Sequence, residues 1–413
     1  MKFLQLTATL LVSTCLAALS CEAFAQEPPK PNVTVRERAR PEYDPLGIRA
    51  GMFMIYPSLT VGSEYDSNVF ASENDEEDDL GLLVSPRVNV QSLWSRHALS
   101  LTAGGQAAFY EEFDDNNYFD FDLGAQSRID ITRANAIRAG LSFARDHEDR
   151  ASPDQGGADD VTKFYTTSAN LGYRHEFNRL FLQVDGRVLR SDFLDDPGGI
   201  NNDDRDRNRY SARLRGGYAI SPRIRLFGEG EYRIVRYDTT PDDGGVDRDS
   251  DGFALRAGAE VDITGLLFGE VAIGYTRQDY DDPALDTAQG VNAVGQLTWN
   301  PTPLTSVVGS VELDVKETTV AGASGNFQKS FTIDVTHELL RNLLLDANLG
   351  FTRDDFEGTD RSDNTFAVGG GVSWLLNRNV AVDATYSFAT RDSDIANADY
   401  TRHIVRVGVT GRL

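Results

Sequence analysis

What most constrains this chain is a period of two that persists along nearly all of it. Phe331, Ile333 and Val335 alternate with Thr332, Asp334 and Thr336. Leu343, Leu345, Ala347, Leu349 and Phe351 stand against Asp346, Asn348 and Thr352, and Val380, Val382, Ala384, Tyr386 and Phe388 against Asp383, Thr385 and Ser387. Such alternation puts successive side chains on opposite faces of a pleated strand, and no stretch sustains the 3.6-residue recurrence of an amphipathic helix. The fold class is all-β. About eighteen strands are predicted, from 52–65, 80–92 and 95–110, through 179–192, 208–221, 224–238 and 250–264, to 363–377, 379–391 and 400–413.

The connections sort into two alternating kinds. Trp94-Ser95-Arg96, Asn178-Arg179, Pro222-Arg223 and Arg341-Asn342 are tight turns. Glu73 to Asp79, Asp146 to Asp160, Asp192 to Arg207, Asp238 to Asp251 and Asp279 to Asp286 are long and acidic. Short turns at one end, long loops at the other and strands longer than the roughly 9–11 residues that cross a bilayer define a transmembrane antiparallel β-barrel. On this reading the turns are periplasmic, the loops extracellular, and the chain sits in the outer membrane of a Gram-negative bacterium. A β-propeller would repeat a blade signature every 40–50 residues or so, and none is present.

Before the barrel come two further segments. Lys2, the apolar run Leu4 to Leu19 and the small-x-small site Ala23-Phe24-Ala25 read as a signal peptide over 1–25. Cys21 allows a rival lipoprotein reading, but its upstream Ala18-Leu19-Ser20 fits that signal poorly. Both cysteines, Cys15 and Cys21, fall in this segment, so the barrel needs no disulfide and no thiol chemistry. Residues 26–50 form a leader rich in proline and charge, with Pro28, Pro29, Pro31, Pro41 and Pro45 beside Arg36, Arg38, Arg40 and Arg49. Proline at that density rules out a long helix or a central strand. The leader is expected to be a flexible periplasmic tail, or else a segment that docks on a partner or lies in the lumen. The barrel proper takes residues 51–413.

In a lipid-spanning barrel the apolar face meets acyl chains and the polar face lines the lumen. Tyr210, Ala212 and Leu214 therefore point out, with Arg209, Arg213 and Arg215 pointing in, and Phe253, Leu255 and Ala257 point out, with Arg256 and Glu260 pointing in. Neighbouring strands add Gln183, Asp185, Arg187, Glu229, Glu231 and Arg233 to the predicted lumen wall. Charges of both signs on adjacent strands can brace the wall or contact a polar solute. A ring of this size is too wide for side chains alone to fill, which favours passage unless a plug intervenes. Phe109, Tyr110, Phe113, Tyr118, Phe119, Tyr237, Tyr275, Tyr280, Trp299, Trp374 and Tyr400 lie near strand ends, as interfacial girdles require.

The chain carries 64 acidic against 40 basic residues, a net charge of -24. That excess opposes binding to nucleic acid. It collects in the loops, above all at Asp75, Glu76, Glu77, Asp78, Asp79, Asp203, Asp204, Asp242 and Asp243. These acids lack the spacing of a helical calcium hand, so no cofactor is expected beyond weak binding of divalent cations that bridge to lipopolysaccharide. A negative mouth predicts a mild preference for cations or neutral solutes. The histidines stand in no metal-ligand spacing and no hydrolase elbow is present, so no enzyme is expected; His147, between Asp146 and Asp149, is the sole candidate for a rim site. The last strand ends at Leu413, where barrels commonly offer an aromatic residue to the assembly machinery.

Tyr43-Asp44-Pro45-Leu46-Gly47-Ile48, Pro57-Ser58-Leu59 and Tyr65-Asp66-Ser67-Asn68-Val69-Phe70 together resemble the opening of the putative β-barrel porin 2 family, and Gly172-Tyr173-Arg174 resembles its mid-barrel strands. The resemblance implies an outer-membrane channel. It further implies the exit barrel of an exopolysaccharide export system, working with a periplasmic polysaccharide export protein. A general diffusion porin for small hydrophilic solutes and a structural barrel with a plugged lumen are the alternatives. The residues themselves assign Asp66 and Asn68 a humbler task, that of capping the first loop through its backbone.

Overall fold

The computed structural model describes residues 32–155, 160–195, 201–263 and 265–413. The predicted signal peptide lies outside the described residues, as does Asp196. A short strand β1 (Ile48–Ala50) precedes β2 (Phe53–Asp66), β3 (Asp79–Ser92), β4 (Ala98–Tyr110), β5 (Tyr118–Asp130), β6 (Asn135–His147), β7 (Lys163–Phe177), β8 (Leu180–Phe193), β9 (Arg207–Ser221) and β10 (Ile224–Tyr237). The second half contributes β11 (Ser250–Ile263), β12 (Leu267–Tyr280), β13 (Ala288–Thr302), β14 (Thr305–Lys316), β15 (Gly325–Leu340), β16 (Leu343–Glu357), β17 (Ser362–Leu375), β18 (Val380–Ser393) and β19 (Tyr400–Arg412). From β2 to β19 each strand pairs antiparallel with the next, and β19 pairs back onto β2, which closes a barrel of 18 strands.

Alternation builds the wall as predicted. Leu141, Leu171, Leu214, Leu255 and Ile273 are exposed on the outer face, where lipid would cover them. Tight turns join the strands at one rim; Asn178, with φ 56°, supplies the left-handed residue that the two-residue turn between β7 and β8 needs. The long loops occupy the opposite rim.

The seam where the last strand meets the first carries its own clasp. Ile404 to Arg412 pair with Asp66 to Ser58 in continuous register. On the inner face Arg402 donates to both carboxylate oxygens of Asp66, at 2.5 and 3.0 Å among its contacts, and Arg406 pairs with Glu64. Glu64 also accepts a hydrogen bond from the Tyr110 hydroxyl at 2.8 Å and is almost wholly buried. Beyond the strand, the Asp66 carboxylate accepts from the Asn68 amide at 3.0 Å, and Asn68 in turn holds the amide and carbonyl of Ser72. Asp66 and Asn68 thus cap the loop, and Asp66 also locks the seam.

Pro57 marks where β2 changes partner. Below it, Phe53 to Ile55 pair with β1; just above it, β2 pairs with β19, and the Leu413 amide donates to the Pro57 carbonyl. Glu64→Ala should leave the Arg406 guanidinium buried without its carboxylate, at a cost of about 3 kcal/mol. Heat-modifiability on gels should show that variant unfolding at lower temperature than the parent, with Glu64→Gln intermediate.

Candidate functional site

The lumen is the site. Every predicted wall residue lies on the inner face: Gln183, Asp185 and Arg187 on β8, Arg213 and Arg215 on β9, Glu229, Glu231 and Arg233 on β10, Arg256 and Glu260 on β11. Register explains their first contacts. Asp185 stands opposite Arg213 and accepts from it at 3.0 Å, while Glu229 stands opposite Arg215 on one side and Arg256 on the other, at 2.7 and 2.5 Å.

The network also reaches strands that do not touch. Arg215 bonds Glu270 of β12 at 2.9 Å, Arg256 bonds Asn292 of β13 at 2.7 Å, and Arg233 on β10 grips Asp314 of β14 at 2.7 Å. Four strand spacings measure roughly 19 Å along a sheet, so an arginine and an aspartate meet across them only where the wall curls inward. Arg215, Glu229, Arg233, Arg256 and Asn292 are all buried as a result. Glu270, Asn292 and Asp314 were not among the predicted wall residues, although they share its parity; only the tertiary curl reveals that they complete the network.

Below the charges lies an apolar layer that a uniformly polar lumen does not anticipate. Phe181 and Phe227 face inward and pack with Ala272. Arg174 and Arg215 each lay a guanidinium 4.1 Å from the centre of one of these rings. A Cβ on Gly217 would come within 2.3 Å of Phe181, and one on Gly258 within 2.5 Å of Phe227, so glycine is what lets both rings lie flat on the wall.

At the rim of short turns the leader enters the barrel. Val35 is fully buried, and its amide donates to the Ser306 hydroxyl at 2.7 Å. Arg36 pairs with Asp346, and Arg40 with Glu338 at 2.8 Å, the latter pair buried on both sides. Asn300, Arg341, Arg378 and Arg412 donate to the carbonyls of Val33, Ala39, Pro41 and Tyr43. Of the two expectations for the leader, a flexible tail or a segment lying in the lumen, residues 33–43 follow the second: they lie in the lumen mouth, because their arginines match carboxylates on the inner wall.

The opposite rim is laced together by the β6–β7 loop. Arg205 of the β8–β9 loop holds Glu148, Arg402 holds Asp149, and the Ala151 carbonyl accepts from Arg391. Asp154 accepts from the hydroxyl and amide of Thr318 and Thr319, in the β14–β15 loop far around the ring, at 2.7 and 2.8 Å. His147 meets Asp120 at 2.8 Å and stacks on Tyr118, and Asp149 is taken by Arg402, so the rim triad considered from sequence is spent on structure.

Of the loop acids, Asp75, Glu76, Glu77, Asp78, Asp203 and Asp243 are exposed. Asp79 is not a solvated loop acid: it is buried and accepts from the amides of Glu112 and Phe113, fixing the β4–β5 loop. Asp242 likewise caps its own turn and binds Arg248 at 2.7 Å. Among the described residues no group of three or more metal-ligating side chains is arranged to hold an ion. The predicted girdle also divides. Phe109, Phe119, Tyr275, Trp299 and Trp374 face outward, whereas Tyr110, Tyr118, Tyr237, Tyr280 and Tyr400 turn inward. Phe113 packs in a loop against Phe70. Adjacent residues of one strand, such as Phe109 and Tyr110, cannot both meet lipid. A concavity of about 610 Å³ lined by Leu99, Leu141, Leu171, Val188 and Tyr210 lies on the apolar, outward-facing side of the wall.

A closed barrel with an apolar outside and a charged inside defines an outer-membrane channel of the porin type. The chain matches the family described as putative beta-barrel porin 2 over residues 40–413 and belongs to it. It is a family of channels, not of enzymes. No curated protein matches the chain. Among solved structures it is similar to OpdL of Pseudomonas aeruginosa, at 13% identity over 88% of this chain and 99% of that one, with a TM-score of 0.44. The FrpB iron transporter of Neisseria meningitidis gives 10% identity, coverage of 86% and 81%, and a TM-score of 0.45. A mutant of the ferric enterobactin receptor PfeA of Pseudomonas aeruginosa gives 8%, coverage of 87% and 80%, and 0.44. Each is a likeness of barrel architecture alone.

Two tests follow from this geometry. Arg256→Ala removes the link between Glu229, Glu231 and Asn292 and should raise single-channel conductance, with the repelling carboxylates lowering thermal stability by about 3 kcal/mol. In the loops, burial raises the pKa of Asp204, helped by Asp243 and Asp242, and burial likewise raises Asp206 and Asp249. A raised carboxyl binds more protons in the assembled loops than in detached ones. The arrangement therefore strengthens as pH falls through the raised values and loosens as pH climbs above them. Proteolytic nicking of segments 201–206 and 238–249, normalised to an unfolded control, should be slower near the ordinary carboxylate range, at about pH 4, than at about pH 7.

Proposed function

We propose that this outer-membrane channel is the exit barrel for a hydrophilic polymer of the exopolysaccharide class, fed from the periplasm by a polysaccharide export protein. The observation that carries it is that both mouths hold a segment from outside the ladder. The leader is seated against the β13–β19 wall of one mouth and the β6–β7 loop reaches across the other to the β14–β15 loop, each held by side-chain contacts. A constitutive diffusion porin has no use for a segment seated in its periplasmic entrance, whereas an exit that must stay narrow between deliveries does. The polymer class rests on the family resemblance of the opening segment. Wall charges braced against one another leave little field of a single sign in the lumen, which suits a neutral or weakly charged chain better than a strongly ionic one. The exposed acids at the outer rim add a mild preference for cations over anions.

The reading is tested by deleting the gene and assaying surface polysaccharide, alongside bilayer conductance of the purified barrel. Loss of surface polymer together with brief, infrequent openings is expected. Normal polymer secretion with steady conductance would make the chain a general diffusion porin. Reversal potentials in a salt gradient should show cations passing more easily than anions; anion selectivity at low salt contradicts the mouth assignment.

A further inference from the structure

The inner wall that the leader covers is chemically distinct from the rest of the lumen. Glu338 on β15, Asp346 on β16 and Asp383 on β18 face inward near the rim of short turns, with Asp334 one step farther in. On the β9–β11 wall the acids are paired with arginines of neighbouring strands. Here the shorter pairs come from a segment outside the ladder of the barrel, Arg36 on Asp346 and Arg40 on Glu338 at 2.8 Å, while Arg341 of the β15–β16 turn adds a longer contact to Glu338 at 3.4 Å. Asp383 is 4% exposed, and one of its carboxylate oxygens has no hydrogen-bond partner. It borders a cavity of about 30 Å³ lined also by Arg36, Asp346, Ser373 and Thr385. A buried carboxylate with spare acceptor capacity beside a guanidinium marks a surface shaped for cationic groups and incompletely used.

Taking the channel reading as its premise, we propose that the acidic inner face of β15, β16 and β18 is a docking site for a turn-forming, arginine-bearing peptide segment, whose Arg40 also holds the carbonyls of Val35, Arg36 and Arg38. Residues 33–43 of the chain itself occupy it at rest, and the channel opens when they withdraw. The segment has the composition such a role needs. Pro41 and Pro45 keep it out of helix and ladder, so its backbone carbonyls remain free to accept from Arg341, Arg378 and Arg412 at the rim. Its C-terminal end is tethered by β1 on the free edge of β2. Withdrawal therefore breaks side-chain contacts while leaving every strand of the barrel paired. Once the segment leaves, Glu338, Asp346 and Asp383 are hydrated in an open mouth, so removal exchanges ion pairs for water rather than stranding buried charge.

The test uses the full chain and exploits the absence of cysteine from residues 32–413. A Val35→Cys variant should react slowly with a membrane-impermeant maleimide. Adding Arg36→Ala and Arg40→Ala should raise that rate by roughly tenfold or more, as loss of buried ion pairs requires. Val35→Cys with Ser306→Cys should cross-link on oxidation, because the Val35 amide and the Ser306 hydroxyl lie 2.7 Å apart. The oxidised protein should be silent in planar bilayers and regain its openings on adding a thiol reductant. A synthetic peptide of residues 32–46, added to the turn side of the arginine-less variant, should block it; the same peptide with both arginines replaced should not. Equal labelling rates with and without the arginines overturn the docking site. Equal conductance of the oxidised and reduced forms overturns the gate. Silence of every form, with the labelling difference intact, would instead refute passage through the barrel while the docking site stands.

Discussion

Closure of the sheet on itself is the constraint on which everything else here depends. A strand facing lipid has no water to satisfy its amides and carbonyls, so an open edge within the membrane is not tolerated. The chain meets that demand at a single place, the pairing of β19 with β2, where Arg402 and Arg406 grip Asp66 and Glu64 across the seam. Arg402 also holds Asp149 of the β6–β7 loop. The clasp that shuts the wall thus also positions the loop that crosses the outer mouth, and covalent order, wall closure and mouth geometry meet in one guanidinium.

Within that wall the protein spends its charge in two different ways. Along β8 to β14 acids and arginines neutralise one another, a fixed network that shapes the conduit by curling the sheet inward over Phe181 and Phe227. At the turn end of β15 and β16 the inner wall shows Glu338 and Asp346, and the cations closest to them, Arg40 and Arg36, sit on the leader. The first arrangement is permanent, because both partners belong to the ladder. The second is conditional, because one partner is attached only through its neighbours in sequence.

The wall itself was legible in the sequence because its signal is local. Alternation located strand after strand; segment 224–238 matches β10 to within one residue, and even the boundary at 95, against Ala98, differs by only three residues. Parity likewise placed Glu229, Arg233 and Arg256 on the inner face. What escaped was whatever depends on contacts between distant parts of the chain. Arg36 meets Asp346 and Asp154 meets Thr318 only in the closed ring, and no periodicity encodes either pair. Phe181 and Phe227 stand in short apolar runs, Leu180 to Leu182 and Leu226-Phe227, where alternation alone turns one residue inward. Asp79 looked like the end of an acidic loop, yet it opens a strand and binds amides of the next hairpin. Tyr110 and Tyr118 were assigned to a girdle by position along the strand, which parity alone should have forbidden.

The tether formed by β1 has a consequence for the order in which the molecule is built. Residues 33–43 leave the ribosome before any strand, yet the wall they rest on comes from β13 to β19, so they are made first and seated last. Through β1 they stay beside the seam throughout, and this holds them at a high local concentration over a site that does not exist until the final strand is in place. Completion of the barrel is therefore also the event that gives the segment its seat. A chain assembled in this sequence has its guest segment already waiting beside the seam when the last strand pairs.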